Sequence, residues 1–396
     1  MRTAHIADIS SADPSGGGAE IMFDITQRAA CQLGYSVAAL TAEPRRNPLS
    51  YVYSLRNRRR AKRFLQETRP DVVHVQNYYH FHSPSILSAI RTYKRSHPEV
   101  RVVFTAHDYH LICPNSGFQH FTRTGAVHYD VDKPRIRLWH NFDARSRAYS
   151  LLKLLQHMVA YRLLKLQNVF DVIISPSELV ARAFRAAGIT ADIKVIRNPV
   201  DVPGPSPVAG SGLVFLNRLK PEKGLIPFIT ALEKEHVECT IDVYGDGPEK
   251  DSLINLANSC TSVRVTVHGH IPHAEVPYAL ARHQALVYPS TWIENAPMAV
   301  IEAASLGLSL VVPHWGGVLE MAELAEYQHA FDPASSRSIA QSVAAALNDP
   351  HPNRLRDPRP FELQTYVNAI QRTYDPDARH SVPMTGAPGV DGSTAS

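Results

Sequence analysis

Short apolar runs alternate with longer amphipathic stretches from the first residues onward. "RTAHIADI" gives way to "SSADPSGGGAE" and then to "IMFDITQRAACQLG", whose apolar positions recur at helical spacing until Gly34 closes the run. "YSVAALTA", "DVVHVQN", "VRVVFTAHD" and "FDVIISPS" have the length and apolar density of buried strands, and a basic helix is predicted around Tyr53–Arg69. Strands alternating with helices mean a parallel sheet with right-handed crossovers. At Asn198–Gly212 the texture changes to "NPVDVPGPSPVAGSG", a Pro- and Gly-rich linker. A second alternating series follows, with "GLVFLNRL", "CTIDVYG", "VRVTVHG", "ALVYPS" and "LSLVVPH" as its strands. The pattern therefore predicts an α/β protein of two Rossmann-like, doubly wound domains, residues 1–200 and 213–350, joined by a linker over 201–212. A Pro/Arg stretch leads to a last helix over 361–374, and the polar residues 375–396 are predicted to be disordered. Ligands of such sheets bind outside the carboxyl ends of the strands, so the cleft between the domains is the expected site.

Composition narrows the class. The chain has 396 residues, more than one core usually holds, with 44% hydrophobic and 20% charged residues, as in soluble globular proteins. No apolar run is long enough for a membrane span, and no secretory leader is read at the N-terminus. Four scattered cysteines without a CxxC pair favour a reducing, cytoplasmic setting over disulfides or zinc. Residues 1–200 hold 28 Lys and Arg against 15 Asp and Glu, whereas the remainder holds 13 against 22. The basic half is expected to meet an anionic surface or substrate. No motif for reading bases accompanies it, so nucleic acid is not an expected partner.

Four stretches could carry chemistry. Gly16, Gly17 and Gly18 follow the first strand and precede a helix, an arrangement that lets backbone approach a phosphate, although a plain turn would use the same glycines. "RLKPEKG" places Arg218 and Lys223 around a turn before Gly224, which suits a diphosphate or simply a solvated basic loop. His107 and Asp108 end a buried strand, where a lone His is often structural. "STWIENAPMAVIEAASLG" sets Glu294 before Pro297 and Glu302 inside the helix that Pro297 is expected to open. Glu302 would then lie about 7–8 Å along the axis from Pro297, at 1.5 Å per residue. Two carboxylates so spaced fit a ligand with a sugar at one end and a ribose at the other, with the helix N–H groups facing an anion between them.

Taken in order, the glycine loop, "VVFTAHD", "RNPVD", "RLKPEKG", "VYGDGP", "VHGHI" and "YPSTWIENAPMAVIEAASLG" resemble the GT-B-fold retaining glycosyltransferases of family 4, the glycosyl transferases group 1, over about residues 3–320. The resemblance implies a nucleoside-diphosphate-sugar donor, UDP- or GDP-linked. Arg218 and Lys223 would hold its diphosphate, Glu302 its ribose, and Glu294 and His107 its sugar. Gly17 and Gly18 would admit the diphosphate, and His270 and Ile271 would meet the base. Ala296, Pro297 and Met298 would complete the donor site, with Ala296 at a position that tunes sugar choice. Asn217 departs from the family's usual glycine. The resemblance also implies that the last helix returns to the first domain.

No cofactor or metal is expected, since the resemblance calls for no DxD-type metal motif and none stands out at a predicted strand end. Retention is expected through same-face attack. The acceptor is expected to be a sugar or a lipid-linked or polysaccharide chain of cell-envelope or exopolysaccharide synthesis. "KPRIRLWHNFDARSRAYSLLKLLQHMVAYRLLKLQ" bears on it in two ways. Leu151–Leu166 carries apolar residues all round and is read as a core helix. Together with Arg56–Arg63 the segment also suits peripheral contact with the inner face of an anionic membrane. The alternatives are a sugar-nucleotide epimerase or hydrolase of the same fold, which would need an acid/base pair in the cleft, and an inactive nucleotide-sugar-binding protein, which would form no product.

Overall fold

The computed structural model describes residues 1–10, 17–43, 47–123, 125–200, 210–348 and 351–377. Gly16, most of the linker and all but the first three residues of the polar tail lie outside them. The first sheet contains β1 (Arg2–Ala7), β2 (Ser36–Thr41), β3 (Val72–Val75) and β4 (Arg101–Thr105). A small antiparallel hairpin follows, β5 (Gln119–Thr122) and β6 (Gly125–His128), before β7 (Val172–Ser175) and β8 (Asp192–Val195) complete the sheet. The second sheet contains β9 (Leu213–Leu216), β10 (Cys239–Tyr244), β11 (Val263–Gly269), β12 (Ala285–Val287), β13 (Ser309–Pro313) and β14 (Gln328–Phe331).

Both sheets have six parallel strands, ordered β2-β1-β3-β4-β7-β8 and β11-β10-β9-β12-β13-β14. Central strands such as Val72–Val75 and Ser309–Pro313 are buried at every position, because helices cover both faces, and so they read as unbroken apolar runs. The strand order reverses between β1 and β3 in the first sheet and between β9 and β12 in the second. At such a switch point the loops leave in opposite directions and open a crevice.

The last helix, Leu363–Tyr374, packs on the helix Gly18–Gln32 of the first domain. Tyr366 Oη lies 2.7 Å from Thr26 Oγ1, and Tyr374 Oη lies 2.6 Å from His74 Nδ1. Val367 and Ile370 share an apolar cluster with Met22, Ala29 and Val103, which anchors the chain's end beneath the first sheet.

The segment read as a core helix departs from that expectation. An α-helix, Arg147–His157, runs into a wider π turn, Met158–Leu163. Its buried positions include Ser150, Gln156 and Tyr161, which find hydrogen-bond partners in the first domain. Ser150 Oγ accepts from Phe142 N at 2.8 Å, Gln156 Nε2 donates to Tyr51 O at 2.6 Å and Tyr79 O at 2.9 Å, and Tyr161 Oη meets Tyr78 Oη at 2.7 Å. With the inner face so taken, Leu151, Leu155 and Leu163 face outward, 65%, 48% and 74% exposed.

Candidate active site

Topology brings the distant motifs of the second domain together. β9 and β12 flank its switch point, so the loop after β9, with Arg218 and Lys223, lies beside the loop after β12, with Glu294. The two loops are pinned to each other. Thr291 donates to Glu222 O twice, from N at 2.9 Å and from Oγ1 at 3.1 Å. Gly224 has φ +70°, and a Cβ there would stand 2.1 Å from Pro289 O, so only glycine allows this approach.

Lys223 and Glu294 form the central ion pair, Nζ to Oε1 at 2.6 Å, with both side chains largely buried. Ser290 Oγ also lies 2.8 Å from that carboxylate oxygen. A buried pair held by a further hydrogen bond is fixed in geometry, and either partner left alone would be an uncompensated charge. Arg218 is exposed and has no carboxylate partner among the described residues. Lys220, which the sequence reading passed over, is half-buried beside it. Burial, and after it the charge of Arg218, lowers the Lys220 pKa. The loop therefore holds more positive charge than the protein neutralises.

The opposing wall comes from the first domain. His107, at the end of β4, is half-buried, and burial lowers its pKa to about 4, so it is neutral near pH 7. Its tautomer follows from its partners. Thr26 Oγ1 spends its proton on Met22 O at 2.6 Å, so toward Gln76 Nε2 (3.1 Å) and Tyr366 Oη (2.7 Å) it acts as acceptor. The amide nitrogen of Gln76 thus faces Thr26, and its oxygen faces His107 Nε2 at 2.7 Å. Nε2 carries the ring proton, and Nδ1 keeps a lone pair without a partner among the described residues. Asp108 is turned elsewhere, toward the Tyr79 hydroxyl and His110 N (2.8 Å). Burial raises its pKa to about 6 despite those two hydrogen bonds. Adjacent in sequence, His107 and Asp108 do not form a dyad.

The loop after β12 also joins the domains. Ser177 Oγ donates to Asn295 Oδ1 at 2.6 Å, Asn295 Nδ2 donates to Ala106 O at 2.7 Å, and Ile293 is buried in the first domain's core. Glu320 accepts from Glu178 N and Leu179 N at 2.8 Å each and pairs with Arg197 at 2.5 Å. Gly317 permits this packing, since a Cβ there would lie 1.6 Å from Asn295 O. Asn295 lies inside the glutamate motif without an expected role and Gln76 lies outside every motif; the partners of both are set by tertiary contact alone.

The remaining expected residues fall around this centre. Pro297 has extended ψ and caps the helix Met298–Ser305, one position before the place expected of it, because its C=O already serves the first helical turn by accepting from Val300 N at 3.2 Å. Gly18 approaches Met298 across the cleft, with its Cβ position 4.0 Å from Met298 Sδ. Gly17 N donates to Glu20 Oε2 at 2.7 Å, which closes the first helix turn. Glu302 is buried, 3.5 Å from His273 Nε2, a contact that no motif signals. His270 is exposed, while Ile271 and Ala296 pack on the second domain's core. Among the described residues no three His, Cys, Asp or Glu side chains gather as metal ligands.

Two parallel doubly wound domains that meet across switch-point loops define the GT-B architecture. The family model for glycosyltransferase family 4 matches residues 21–202, and that for glycosyl transferases group 1 matches residues 207–359. The chain belongs to the GT-B glycosyltransferases of this group 1, family 4 type. It is 30% identical over 201 residues to a glycogen synthase of Mycobacterium tuberculosis, a match covering 46% of this chain and 48% of the relative. It is 25% identical over 142 residues to an alpha-D-kanosaminyltransferase of Streptomyces kanamyceticus, covering 35% and 36%. The chain thus spans about half the length of the glycogen synthase it matches, and about a third of the kanosaminyltransferase. Its fold resembles that of Anabaena HepE solved with UDP-glucose, with TM-score 0.58 and 18% identity over 94% of this chain and 99% of that one. It also resembles sucrose-phosphate synthase from Thermosynechococcus elongatus, with TM-score 0.61 and 14% identity over 94% of each chain.

Proposed function

We propose that the chain is an enzyme that moves a hexosyl unit from a nucleoside-diphosphate sugar to an acceptor, with retention at the anomeric carbon. The observation that carries this reading is the buried Lys223–Glu294 pair beside the unpartnered Arg218, at the switch point of the second sheet. Arg218, Lys220 and Lys223 would take up the charge that grows on the departing diphosphate, a preorganised electrostatic effect that needs no divalent ion. Glu294, with one oxygen held by Lys223 and Ser290, would present the other to hydroxyls of the donor sugar. His107, with its proton fixed on Nε2, would offer Nδ1 as an acceptor to a sugar hydroxyl. Asp108 is bound to Tyr79 and His110 and is a poor candidate for a covalent nucleophile. That supports same-face attack, in which a leaving diphosphate oxygen takes the acceptor's proton. Glu302 would hold the ribose, and His270 and Ile271 would border the base. UDP is the nucleotide to try first, given the HepE complex with UDP-glucose. The acceptor would be a lipid-linked sugar or a growing polysaccharide of the cell envelope, met from the cytoplasmic side.

Thermal unfolding with UDP, GDP and ADP, and with their sugars, tests the donor. A ligand at 100 times its Kd adds about 2.7 kcal/mol of stability. Stabilisation by one nucleoside diphosphate and its sugar, followed by release of that diphosphate in excess chelator, is the expected result. Silence from the whole panel would refute the donor site, and activity lost to chelator and restored by magnesium would refute the metal-free reading.

A further inference from the structure

We propose that residues 49–55 and 135–165 form one surface that docks on an anionic lipid bilayer. Of the thirteen exposed large hydrophobic side chains among the described residues, eight lie in these two segments. Trp139 and Leu163 are each 74% exposed and Leu49 is 81% exposed, values that a core or a well-covered surface does not produce.

The segments are contiguous in space. The short helix Pro48–Val52 packs against the helix Arg147–His157, and Gln156 ties them through Tyr51 O. Leu138, Trp139 and Leu151 line a shallow, open pocket of about 240 Å³ with Arg147 and Leu154. Leu163 lies at the end of the π turn that prolongs the same helix and is likewise exposed. Together they form an apolar face that lies along the surface rather than pointing into the protein.

Charge identifies what covers it. Arg135, Arg137, Arg147, Arg162 and Lys165 are all exposed around this face. Asp143 is the sole carboxylate in residues 133–165; it is buried and neutralised by Arg145 and Lys153 at 2.8 and 3.0 Å. The neighbouring helix Leu55–Thr68 adds exposed Arg58, Arg59, Lys62 and Arg63, while Arg56 pairs with Glu43 at 2.8 Å. A second copy of the chain would bring like charges together across the leucines, and a nucleic acid would leave the leucines in water. An anionic bilayer satisfies both halves, with acyl chains for Leu and Trp and headgroups for the basic rim. Trp139, with Arg137 over its ring at 5.4 Å, has the amphipathic character of an interface residue.

On its other side the helix Arg147–His157, with its π turn, packs on the first domain's wall of the cleft. Gln156 Nε2 donates to Tyr79 O at 2.9 Å, and the rings of His157 and Tyr161 meet that of His110, whose backbone N–H and the Tyr79 hydroxyl hold Asp108. One helix, roughly 10 Å across, thus separates the bilayer face from that wall. A headgroup-linked acceptor would rise beside that helix into the cleft. This last consequence rests on the glycosyl-transfer reading, whereas the docking itself does not.

The experiment is flotation of the full chain with vesicles of phosphatidylcholine alone and with added phosphatidylglycerol. It is paired with Trp139 fluorescence, taken as the difference from Trp139→Phe. Co-flotation with the anionic vesicles, weakened by salt, and a blue-shifted Trp139 quenched by brominated acyl chains are expected. The double variant Leu151→Ser/Leu155→Ser should bind at least about tenfold more weakly, since binding scales with buried apolar area. Both leucines are exposed, so its melting temperature and its stabilisation by UDP should match wild type. No binding to anionic vesicles, unchanged binding by the double variant, an unshifted Trp139, or a dimer that covers this face would each overturn the proposal. Stabilisation by UDP is read separately, so failure of the donor reading shows there and not in flotation.

Discussion

The two walls of the cleft handle charge in opposite ways. The wall from the second domain holds formal charges, with Lys223 and Glu294 paired at 2.6 Å and Arg218 and Lys220 beside them without an ion-pair partner among the described residues. The wall from the first domain holds groups whose charged forms burial disfavours. His107 loses basicity, and Asp108 is raised toward its protonated form. One wall is suited to bind and stabilise an anion. The other excludes bulk water and orients neutral hydroxyls through fixed donors and acceptors. Low dielectric on the neutral side strengthens every charge on the cationic side.

Removing charge from the second wall should have the largest effect. Glu294→Ala and Lys223→Ala should each lower turnover by about 10²–10³, the scale for losing one preorganised electrostatic contact. Initial rates with the stabilising donor would measure it. A variant at wild-type rate would mean that the paired charges are structural and that the contrast between the walls has no catalytic content.

The next test separates the walls physically. Asn295→Ala removes both of that residue's hydrogen bonds to the first domain, taking the acceptor from the Ser177 hydroxyl and the Nδ2 donor from Ala106 O, while the Glu320 contacts remain. Each buried group left unsatisfied costs about 1–3 kcal/mol, so a loss of about 2 kcal/mol is expected in urea unfolding. An unchanged midpoint would show that the loop joins the domains through apolar contact such as Ile293 alone.

A smaller effect is expected from the neutral wall's hydrogen-bond chain. ¹⁵N shifts of the His107 ring should report a proton on Nε2, and Gln76→Leu should mix the tautomers. Mixed tautomers in the wild type would remove the assigned role of the Tyr366–Thr26–Gln76 chain.

The smallest effect is on pH dependence. The unfolded chain protonates His107 near its ordinary value of 6.5 while the folded chain waits until about 4, so this group costs stability as pH falls through that window. Asp108 has the opposite sign. Its folded pKa of about 6 lies above the ordinary 3.8, so its contribution is full at low pH and is lost as pH rises toward 6. His107→Asn should therefore gain stability relative to wild type between pH 6 and 4, and Asp108→Asn should lose it. Melting temperatures across that range read both signs, and parallel curves for the two variants would contradict the burial argument.

Much of this was legible in the chain. Strands covered on both faces announce themselves as apolar runs, and that periodicity was enough for two doubly wound sheets. Arg218, Lys223 and Glu294 stand out because their motifs, taken together and in order, resemble those of the family, although each alone also reads as a solvated loop charge. Lys220 sat in the same quoted loop and was passed over, since nothing local separates a cation in the cleft from one in solvent. Asn295 was invisible for another reason. In sequence it reads as a loop residue, while its partners lie 118 and 189 positions away. The leucines of the helix after Ser146 misled, because counting apolar residues around a helix does not reveal that Gln156, His157 and Tyr161 occupy the inward side.

The sequence by itself determined the elements, their order, the basic and acidic halves and the loops that carry charge. These depend on local periodicity and composition, which the chain spells out. Tertiary structure decided that Lys223 meets Glu294 71 positions away, that His107 keeps its proton on Nε2, and that Trp139 and three leucines remain in water. Each of those outcomes depends on which strand ends become neighbours and which side chain reaches a partner first. Distance in space, not position along the chain, sets that choice.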